Sequence, residues 1–471
     1  MFFHEYSGSL KQFVGISNNS MIIDSIGLKI ARIILWLMMP ALLIDALNGW
    51  LIREVPSAVS ISQLYRISVM SLIFIWLARH SRDGWLILSG GFFILLACVS
   101  YHSFFYSQNS WLVLDLHFQL RLMLHFIFFI FLKTYINIIA KHEMRRTRFN
   151  SYVHSLFWFS YVVIAANIVA GVMGVGYSTV AQFAGKEEDA FGGLGFFKAG
   201  NDVGSTFVVI AGVAMFWTWT RSKKIGKYIF LGVVSLLLAV LLQTKTVIAG
   251  ILIMWTAIPL VCSGLVLPNL RVRKKPLMIV LLVLTALISL LSWLVSAEMG
   301  IVKKFLYFYS QQGLLFAVLT GRDYFAGMAI QLITSSYSLG DLLFGRGWSL
   351  YLQGMANLYD GREKLVEIDY FDVFMIDGLV GLILQGAFWL FYLAQAYIGS
   401  RHSSVARSVL FIDLLLLGIA GTAGHVLYST LNSMFIALLN TLPLLERAMV
   451  AGQTSVPNVE IDDATICPSG K

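Results

Sequence analysis

Long apolar stretches recur along the chain and are separated by short polar loops. A helix needs about 20 residues to cross roughly 30 Å of hydrocarbon, and a window of that length finds about twelve candidate spans. They cover approximately residues 28–47, 65–78, 85–104, 118–140, 152–173, 203–220, 228–243, 246–265, 277–296, 371–397, 408–424 and 426–444. The pattern predicts an all-α polytopic membrane protein with about twelve transmembrane helices.

The short loops alternate in charge, and every second one is basic. The basic residues are Arg79 and Arg82, then Lys141, Arg145, Arg146 and Arg148, then Arg221, Lys223, Lys224 and Lys227, then Arg271, Arg273, Lys274 and Lys275, and finally Arg401 and Arg407. Because cytoplasmic loops carry an excess of Lys and Arg, both termini are predicted in the cytoplasm. Residues 174–202 and 297–370 then face the opposite side, which in the inner membrane of a bacterium is the periplasm.

Residues 297–370 form one long polar segment in an otherwise apolar chain. Irregular backbone at a membrane is tolerated only where protein or water surrounds it, so this segment is where we expect the chemistry. The predicted order is a cytoplasmic N-terminal segment (1–27), transmembrane helices 1–9 (28–296), a periplasmic loop domain (297–370), transmembrane helices 10–12 (371–444) and a cytoplasmic tail (445–471).

Composition narrows the class further. The chain is 58% hydrophobic and 13% charged, against roughly 45–50% and about 25% in soluble proteins. A net charge of +9 suggests nucleic acid in a soluble chain, but here the basic residues cluster in the loops, and we expect no nucleic-acid partner. The three cysteines have neither paired spacing nor nearby histidines, so we expect neither a disulfide framework nor a zinc site.

Three cations lie on the predicted outer side, where the charge bias predicts few basic residues. Lys245 lies in the turn QTKT, where a lone lysine can also simply reach the membrane interface. Arg322 in TGRDY and Arg346 in FGRGW have glycine neighbours that allow close approach of a ligand, and arginine binds phosphate through a planar fork of donors. The alternative is an ordinary ion pair, such as Arg322 with Asp323. Convergence of the three cations on one cavity would suit a pyrophosphate.

Carboxylates in EIDYFD are candidate general bases. Glu367 or Asp369 could accept a proton from an attacking hydroxyl placed within about 3 Å. Acidic residues at a helix N-terminus also serve as caps, which is the preferred interpretation of Asp372. The spacing does not separate Glu367 from Asp369. His425, in the short outer turn GTAGHVLYS, is a further candidate base.

Arg121 lies in DLHFQLRLMLHF, where His117, Arg121 and His125 recur every four residues on one helix face. An arginine inside the bilayer is costly and should point into the bundle. Asp45 and Asp115 are available partners for a structural ion pair, and an extension of the anion site is the functional alternative.

Four segments, taken in order, carry a resemblance to a known family. They are GFFKAGND (Gly195 to Asp202), QTKTVIAG (Gln243 to Gly250), LTGRDYFAGMAIQL followed by LFGRGW (Leu319 to Trp348), and EIDYFDVFMIDGLVGLIL (Glu367 to Leu384). With about twelve helices and a large loop after the ninth, the chain resembles the bacterial O-antigen polymerase and O-antigen ligase superfamily, the Wzy-type polymerases most of all.

The chain also departs from that family. It has Lys245 where arginine is more usual, and it lacks the His-Asn pair that many members carry at the position of EIDYFD. A base supplied by that histidine is therefore absent or replaced, with Glu367 or Asp369 as the substitutes.

The resemblance implies a fold similar to the class C glycosyltransferases and a metal-independent glycosyltransferase without a cofactor. It implies transfer of a growing glycan from undecaprenyl pyrophosphate to a lipid-linked repeat unit on the periplasmic face. Arg322, Lys245, Arg346 and Arg121 would bind pyrophosphate. The expected partners are the lipid-linked oligosaccharide and the bilayer. A chain-length regulator protein is a further candidate partner. The alternatives are an O-antigen ligase, which transfers glycan to the lipid A core, and a lipid-linked oligosaccharide flippase or other transporter.

Overall fold

The computed structural model describes residues 25–55, 60–106, 112–180, 191–222, 224–263 and 300–454, with the isolated positions 283 and 285. These residues form a helical bundle with one short antiparallel strand pair. Most of the predicted span 277–296, and most of the two predicted terminal segments, lie outside the described residues.

Seventeen helices and two strands are described. They are α1 (Ser25–Met38), α2 (Ala41–Glu54), α3 (Ile61–His80), α4 (Arg82–Tyr106), α5 (Leu112–Ile139), α6 (Glu143–Val172), β1 (Tyr177–Val180), β2 (Phe191–Gly195), α7 (Gly200–Arg221), α8 (Ile225–Leu242), α9 (Lys245–Cys262), α10 (Gly300–Gln312), α11 (Leu314–Leu319), α12 (Arg322–Ser336), α13 (Leu339–Phe344), α14 (Trp348–Leu358), α15 (Asp369–Ser400), α16 (Ser404–Thr422) and α17 (Thr430–Thr454).

Ten of the described helices are long and apolar enough to cross a membrane, namely α3 to α9 and α15 to α17. The predicted first span is a bent pair, because α1 and α2 meet at 49° and would make an eleventh span together. Pro40 stands at the start of α2, where its ring and missing N–H interrupt a continuous helix. The all-α polytopic membrane class is confirmed, and the count of twelve spans stays a prediction.

Helix α5 lies at the centre of the bundle and packs along α17. Its run from Phe126 to Phe131 is buried throughout, as expected of a helix that is apolar on all sides. Aromatic stacking adds specificity, since the rings of Phe126 and Phe388 of α15 lie 4.0 Å apart between centroids. This core holds α15, α16 and α17 in place around the polar residues at one end of the bundle.

The strand pair packs directly against α6. Strand β2 can approach closely because it is rich in glycine: a Cβ on Gly193 would lie 2.3 Å from the carbonyl oxygen of Ile168. The sequence analysis did not predict these strands. They lead directly into the start of α7 and so fix the residues from Lys198 to Asp202 at the same end of the bundle.

Helix α15 is broken at Gly378, whose φ of 63° and ψ of −159° are not helical. The break frees two carbonyl groups inside the bundle, and the turn between α13 and α14 satisfies both: the N–H of Arg346 donates to Met375 (3.1 Å) and the N–H of Gly347 to Ile376 (3.0 Å). Internal partners of this kind are what allows a broken helix at membrane depth. The polar segment is thereby attached to the spanning helices.

Gly345→Ala should destabilise this attachment strongly. Gly345 has a φ of 75°, and an added Cβ would lie 2.0 Å from the carbonyl oxygen of Ile376. A residue forced into such a conformation costs roughly 1–3 kcal/mol before the steric clash is counted. Thermal unfolding of the purified protein in detergent should show a lower melting temperature. The matched control is Gly386→Ala in α15, where the added Cβ meets nothing within 4 Å; equal stability of the two variants would contradict the role of the break.

Candidate functional site

A cavity of about 940 Å³ lies where the segment from Lys304 to Glu367 meets the ends of α9 and α16. Its polar lining includes Asn201, Lys245, Lys304, Arg322, Lys364, Glu367 and His425. Its apolar wall comes from the two spanning helices and includes Ala249, Gly250, Ile253, Leu415, Gly418 and Ile419. The cavity therefore joins a charged end to an apolar wall. Predicted residues Lys245, Arg322, Glu367 and His425 meet in it.

Arg322 begins α12 and points at Glu367. Its Nη2 donates to Glu367 Oε2 at 2.9 Å, and its Nη1 donates to the carbonyl oxygen of Leu319 at 3.2 Å. The alternative pair with Asp323 is not formed. Arg322 Nε is buried without a hydrogen-bond partner among the described residues. The guanidinium therefore keeps one donor that no described residue uses.

Glu367 accepts hydrogen bonds from two cations, because Lys364 Nζ also forms an ion pair with its carboxylate. Burial acts to raise the pKa of Glu367, but the charges of Lys364 and Arg322 outweigh it and hold the pKa below its usual value. The carboxylate is therefore ionised at neutral pH and is occupied by cations.

Lys245 extends from the first turn of α9 towards the polar segment. Its Nζ donates to the carbonyl oxygen of Ala317 at 2.5 Å and lies 3.4 Å from Thr320 Oγ1. Lys304 lines the same cavity, and burial together with the charge of Arg322 lowers the pKa of Lys304. Neither Lys304 nor Lys364 was predicted from the sequence, since neither has the glycine neighbours that mark the two arginines. Their charge in an outer segment was the available signal.

Asp369 and Asp372 have their oxygens occupied by the fold. Asp369 accepts the backbone N–H groups of His425, Val426 and Leu427 at 2.6 to 2.8 Å. Asp372 accepts the hydroxyl groups of Tyr351 and Tyr428 and the N–H groups of Val366 and Glu367. Asp372 thus caps the backbone that precedes α15. The two candidate bases therefore differ in position: Glu367 lines the cavity, whereas Asp369 binds the backbone of the turn before α17.

His425 forms an ion pair with Asp202, with Nδ1 and Oδ1 3.5 Å apart. Burial acts to lower the pKa of His425, but the negative charge of Asp202, together with the charges of Asp369 and Glu367, outweighs it and raises the pKa to about 9. The side chain is then an imidazolium at neutral pH. In this state it contributes a further positive charge to the cavity and cannot accept a proton.

Left-handed backbone is concentrated at this cavity. Among the described residues, the positive-φ positions other than glycine are Gln243, Thr320, Asp360, Glu367 and His425, and all except Asp360 line the cavity. Such conformations are strained for residues with a side chain, and they cluster at active and ligand-binding sites. No sequence signal marks these positions, because none is a glycine.

Arg346 lies outside this cavity. Its Nε donates to Asp341 Oδ2 at 3.2 Å, its Nη1 donates to Ser336 Oγ at 3.0 Å, and its guanidinium stacks 4.3 Å above the Tyr337 ring. This is an ordinary ion pair, the alternative that was named from the sequence for these arginines. It joins the end of α12 to α13, so Arg346 does not converge with Lys245 and Arg322.

Arg121 lines a second cavity of about 230 Å³. Neither anticipated ion pair is formed, because Asp45 pairs with Arg66 at 2.7 Å and Asp115 pairs with His102 at 3.1 Å. Arg121 Nε instead donates to the carbonyl oxygen of Tyr428 at 3.1 Å. Arg66 and Lys198 line the same cavity and were not predicted from the sequence.

No protein-family model matches the chain, and no curated protein matches it. The resemblance to the polymerase and ligase superfamily therefore stays a prediction, and the class that fold and site define is an all-α polytopic membrane protein with a cationic cavity at one end of its bundle.

The charge of His425 should make stability depend on pH. A pKa of about 9 in the folded state exceeds the usual 6.5. The stabilisation is fully present below about pH 6.5 and is lost as the pH rises through about 9. The melting temperature of the wild type should therefore fall across that window more steeply than the melting temperature of His425→Asn. Asparagine is the chosen substitute because it tolerates left-handed backbone. The same pH slope in both proteins would exclude the imidazolium.

Proposed function

We propose that the chain is a metal-independent glycosyltransferase of the bacterial inner membrane that uses a polyprenyl pyrophosphate donor. It polymerises a polysaccharide by transferring the growing glycan from undecaprenyl pyrophosphate to a lipid-linked repeat unit at the periplasmic face. The observation that carries the proposal is the cavity that joins clustered cations to an apolar wall of spanning helices.

The charge of the cavity suits a pyrophosphate. Four basic side chains, Lys245, Lys304, Arg322 and Lys364, line it beside Glu367, and protonated His425 adds to them. Fixed cations in a water-poor site stabilise the negative charge that develops on a departing pyrophosphate by several kcal/mol. A volume of about 940 Å³ is within the range of roughly 300–1,000 Å³ that ligand pockets occupy.

The apolar wall suits the polyprenyl chain of the same molecule. Gly418 of α16 lines the cavity, and a Cβ added there would meet nothing within 4 Å. Ile253 lies about two turns beyond Lys245 along α9, so one helix supplies both a cation and an apolar surface. A lipid pyrophosphate has this same division between a charged head and an apolar tail.

The ion pairs of Glu367 suggest how the reaction begins. A pyrophosphate that binds Arg322 and Lys364 competes with Glu367 for the same cations and releases its carboxylate. Glu367 then accepts the proton of the acceptor hydroxyl, whose oxygen forms the new bond to the anomeric carbon. The bond from that carbon to the pyrophosphate oxygen breaks, and its electron pair leaves with the pyrophosphate. In this scheme Asp369 positions His425 through the backbone and does not take the proton.

Arg322→Gln should abolish polymerisation. The test mixes the purified protein with a defined undecaprenyl-pyrophosphate repeat unit, without metal or nucleotide sugar, and looks for a glycan ladder on a gel. Loss of one charge-stabilising donor should lower the rate about 100-fold or more. Arg362→Gln is the matched control, since Arg362 is an exposed arginine of the same segment that does not line the cavity.

The assay distinguishes a polymerase from a ligase and from a transporter, and it also tests the donor site. A ladder that disappears only in Arg322→Gln supports the donor site. Product formed only when a lipid A core acceptor is supplied would make the protein a ligase. No product with either acceptor would favour a flippase or other transporter, and an active Arg322→Gln would overturn the site.

Glu367→Gln should separate binding from transfer. The amide removes the base but retains a group that can accept a hydrogen bond, so the variant should still bind undecaprenyl pyrophosphate while transfer falls about 100-fold or more. Lipid binding is measured by native mass spectrometry and transfer by the ladder assay. If transfer survives in Glu367→Gln, another group takes the proton.

A further inference from the structure

The second cavity lies on the other side of the ion pair between Asp202 and His425. Asp202 lines the second cavity and His425 lines the first, while Ala199 contributes to both. The two cavities therefore lie back to back at the start of α7. Nothing in the proposed donor site uses the second one.

The polar end of the second cavity contains three basic side chains, Arg66, Arg121 and Lys198. Arg66 is paired with Asp45. Arg121 uses only Nε within the described part of the chain, and its two Nη groups make no hydrogen bond to another described residue. Lys198 is exposed. Two cations are thus available to an incoming anion, beside the side-chain amide of Gln63.

The second cavity repeats the division between charge and apolar surface that the first one shows. Met70 follows Arg66 by four residues on α3, and Leu124 follows Arg121 by three residues on α5. Residues three and four apart lie on the same face of a helix. Each helix therefore presents a cation and then an apolar side chain further along the bundle, as α9 does with Lys245 and Ile253 in the first cavity.

We infer that the second cavity binds the pyrophosphate head of a second lipid-linked substrate, the acceptor repeat unit. The inference rests on the proposed function and deepens it: a polymerase of this kind must hold two lipid pyrophosphates, whereas a ligase holds one. The acceptor glycan extends past Ala199 towards Glu367, and the pair of Asp202 and His425 separates the two pyrophosphates.

The test counts bound lipid. The full-length protein in nanodiscs is titrated with undecaprenyl pyrophosphate and analysed by native mass spectrometry, with inorganic pyrophosphate in a parallel titration. Two lipids should bind the wild type, and one should bind Arg121→Gln and also Arg322→Gln. Binding of inorganic pyrophosphate alone with the same stoichiometry would identify free pyrophosphate, in place of the lipid, as the ligand. One lipid on the wild type overturns the second site.

Two further variants separate loss of the site from loss of folding. Lys198→Gln changes an exposed side chain and should weaken binding of the second lipid at least about tenfold, because it removes a charge-assisted hydrogen bond to the anion. Lys133→Gln is the matched control on α5, because Lys133 lines neither cavity and lies about 18 Å along the helix from Arg121. A similar loss in Lys133→Gln would overturn the assignment.

The ladder assay distinguishes this inference from the proposed function. If the wild type makes a ladder and Arg121→Gln makes the same ladder at every acceptor concentration, the assignment of the second site is wrong. The proposal that the protein is a polymerase then still stands. An acceptor KM raised about tenfold in Arg121→Gln, with kcat retained, is the result expected of an acceptor site. If no ladder forms at all, the polymerase fails, and the lipid count still decides whether the second cavity binds pyrophosphate.

Discussion

Buried carboxylates at the start of α15 hold the polar end of this bundle together. Asp369 accepts three backbone N–H groups from the turn that precedes α17, and Asp372 accepts four donors from three different segments. A buried donor without a partner costs about 1–3 kcal/mol, so these two side chains make the turn compatible with a water-poor site. Both cavities depend on this turn. It places His425 in the first cavity, and the carbonyl group of its Tyr428 accepts a hydrogen bond from Arg121 of the second cavity.

The same requirement for internal partners explains the break in α15. The backbone of Arg346 and Gly347 satisfies the carbonyl groups that the break exposes. The side chain of Arg346 is meanwhile committed to Asp341 and Ser336. What looks in the sequence like a ligand-binding arginine between two glycines is therefore a joint between the polar segment and the spanning helices. Gly345 allows close approach to the backbone of Ile376, and Gly347 allows close approach to the carboxylate of Asp115.

Opposite demands act on the cations of the first cavity. Burial and repulsion between neighbouring cations both act against this arrangement: burial lowers the pKa of Lys304, and the charge of Arg322 lowers it further. A fold selected only for stability would avoid that arrangement, and it would also avoid left-handed backbone at Thr320, Glu367 and His425. In the proposed function, a bound pyrophosphate offsets the repulsion between these cations. In the free protein, the carboxylate of Glu367 pairs with Arg322 and Lys364.

The sequence by itself determined the class of the protein and part of its site. Apolar spans of membrane length specify helices because hydrocarbon offers the backbone no other partner, and charged residues in the long polar segment indicated Arg322 and Glu367. Only the tertiary structure decided which charges meet. It brought Lys304 and Lys364 to Arg322, paired Asp45 with Arg66, and separated Glu367 from Asp369 only two positions away. The reason is physical: partner choice among buried charges depends on helix packing and on left-handed backbone at residues other than glycine, and neither leaves a local pattern in the chain.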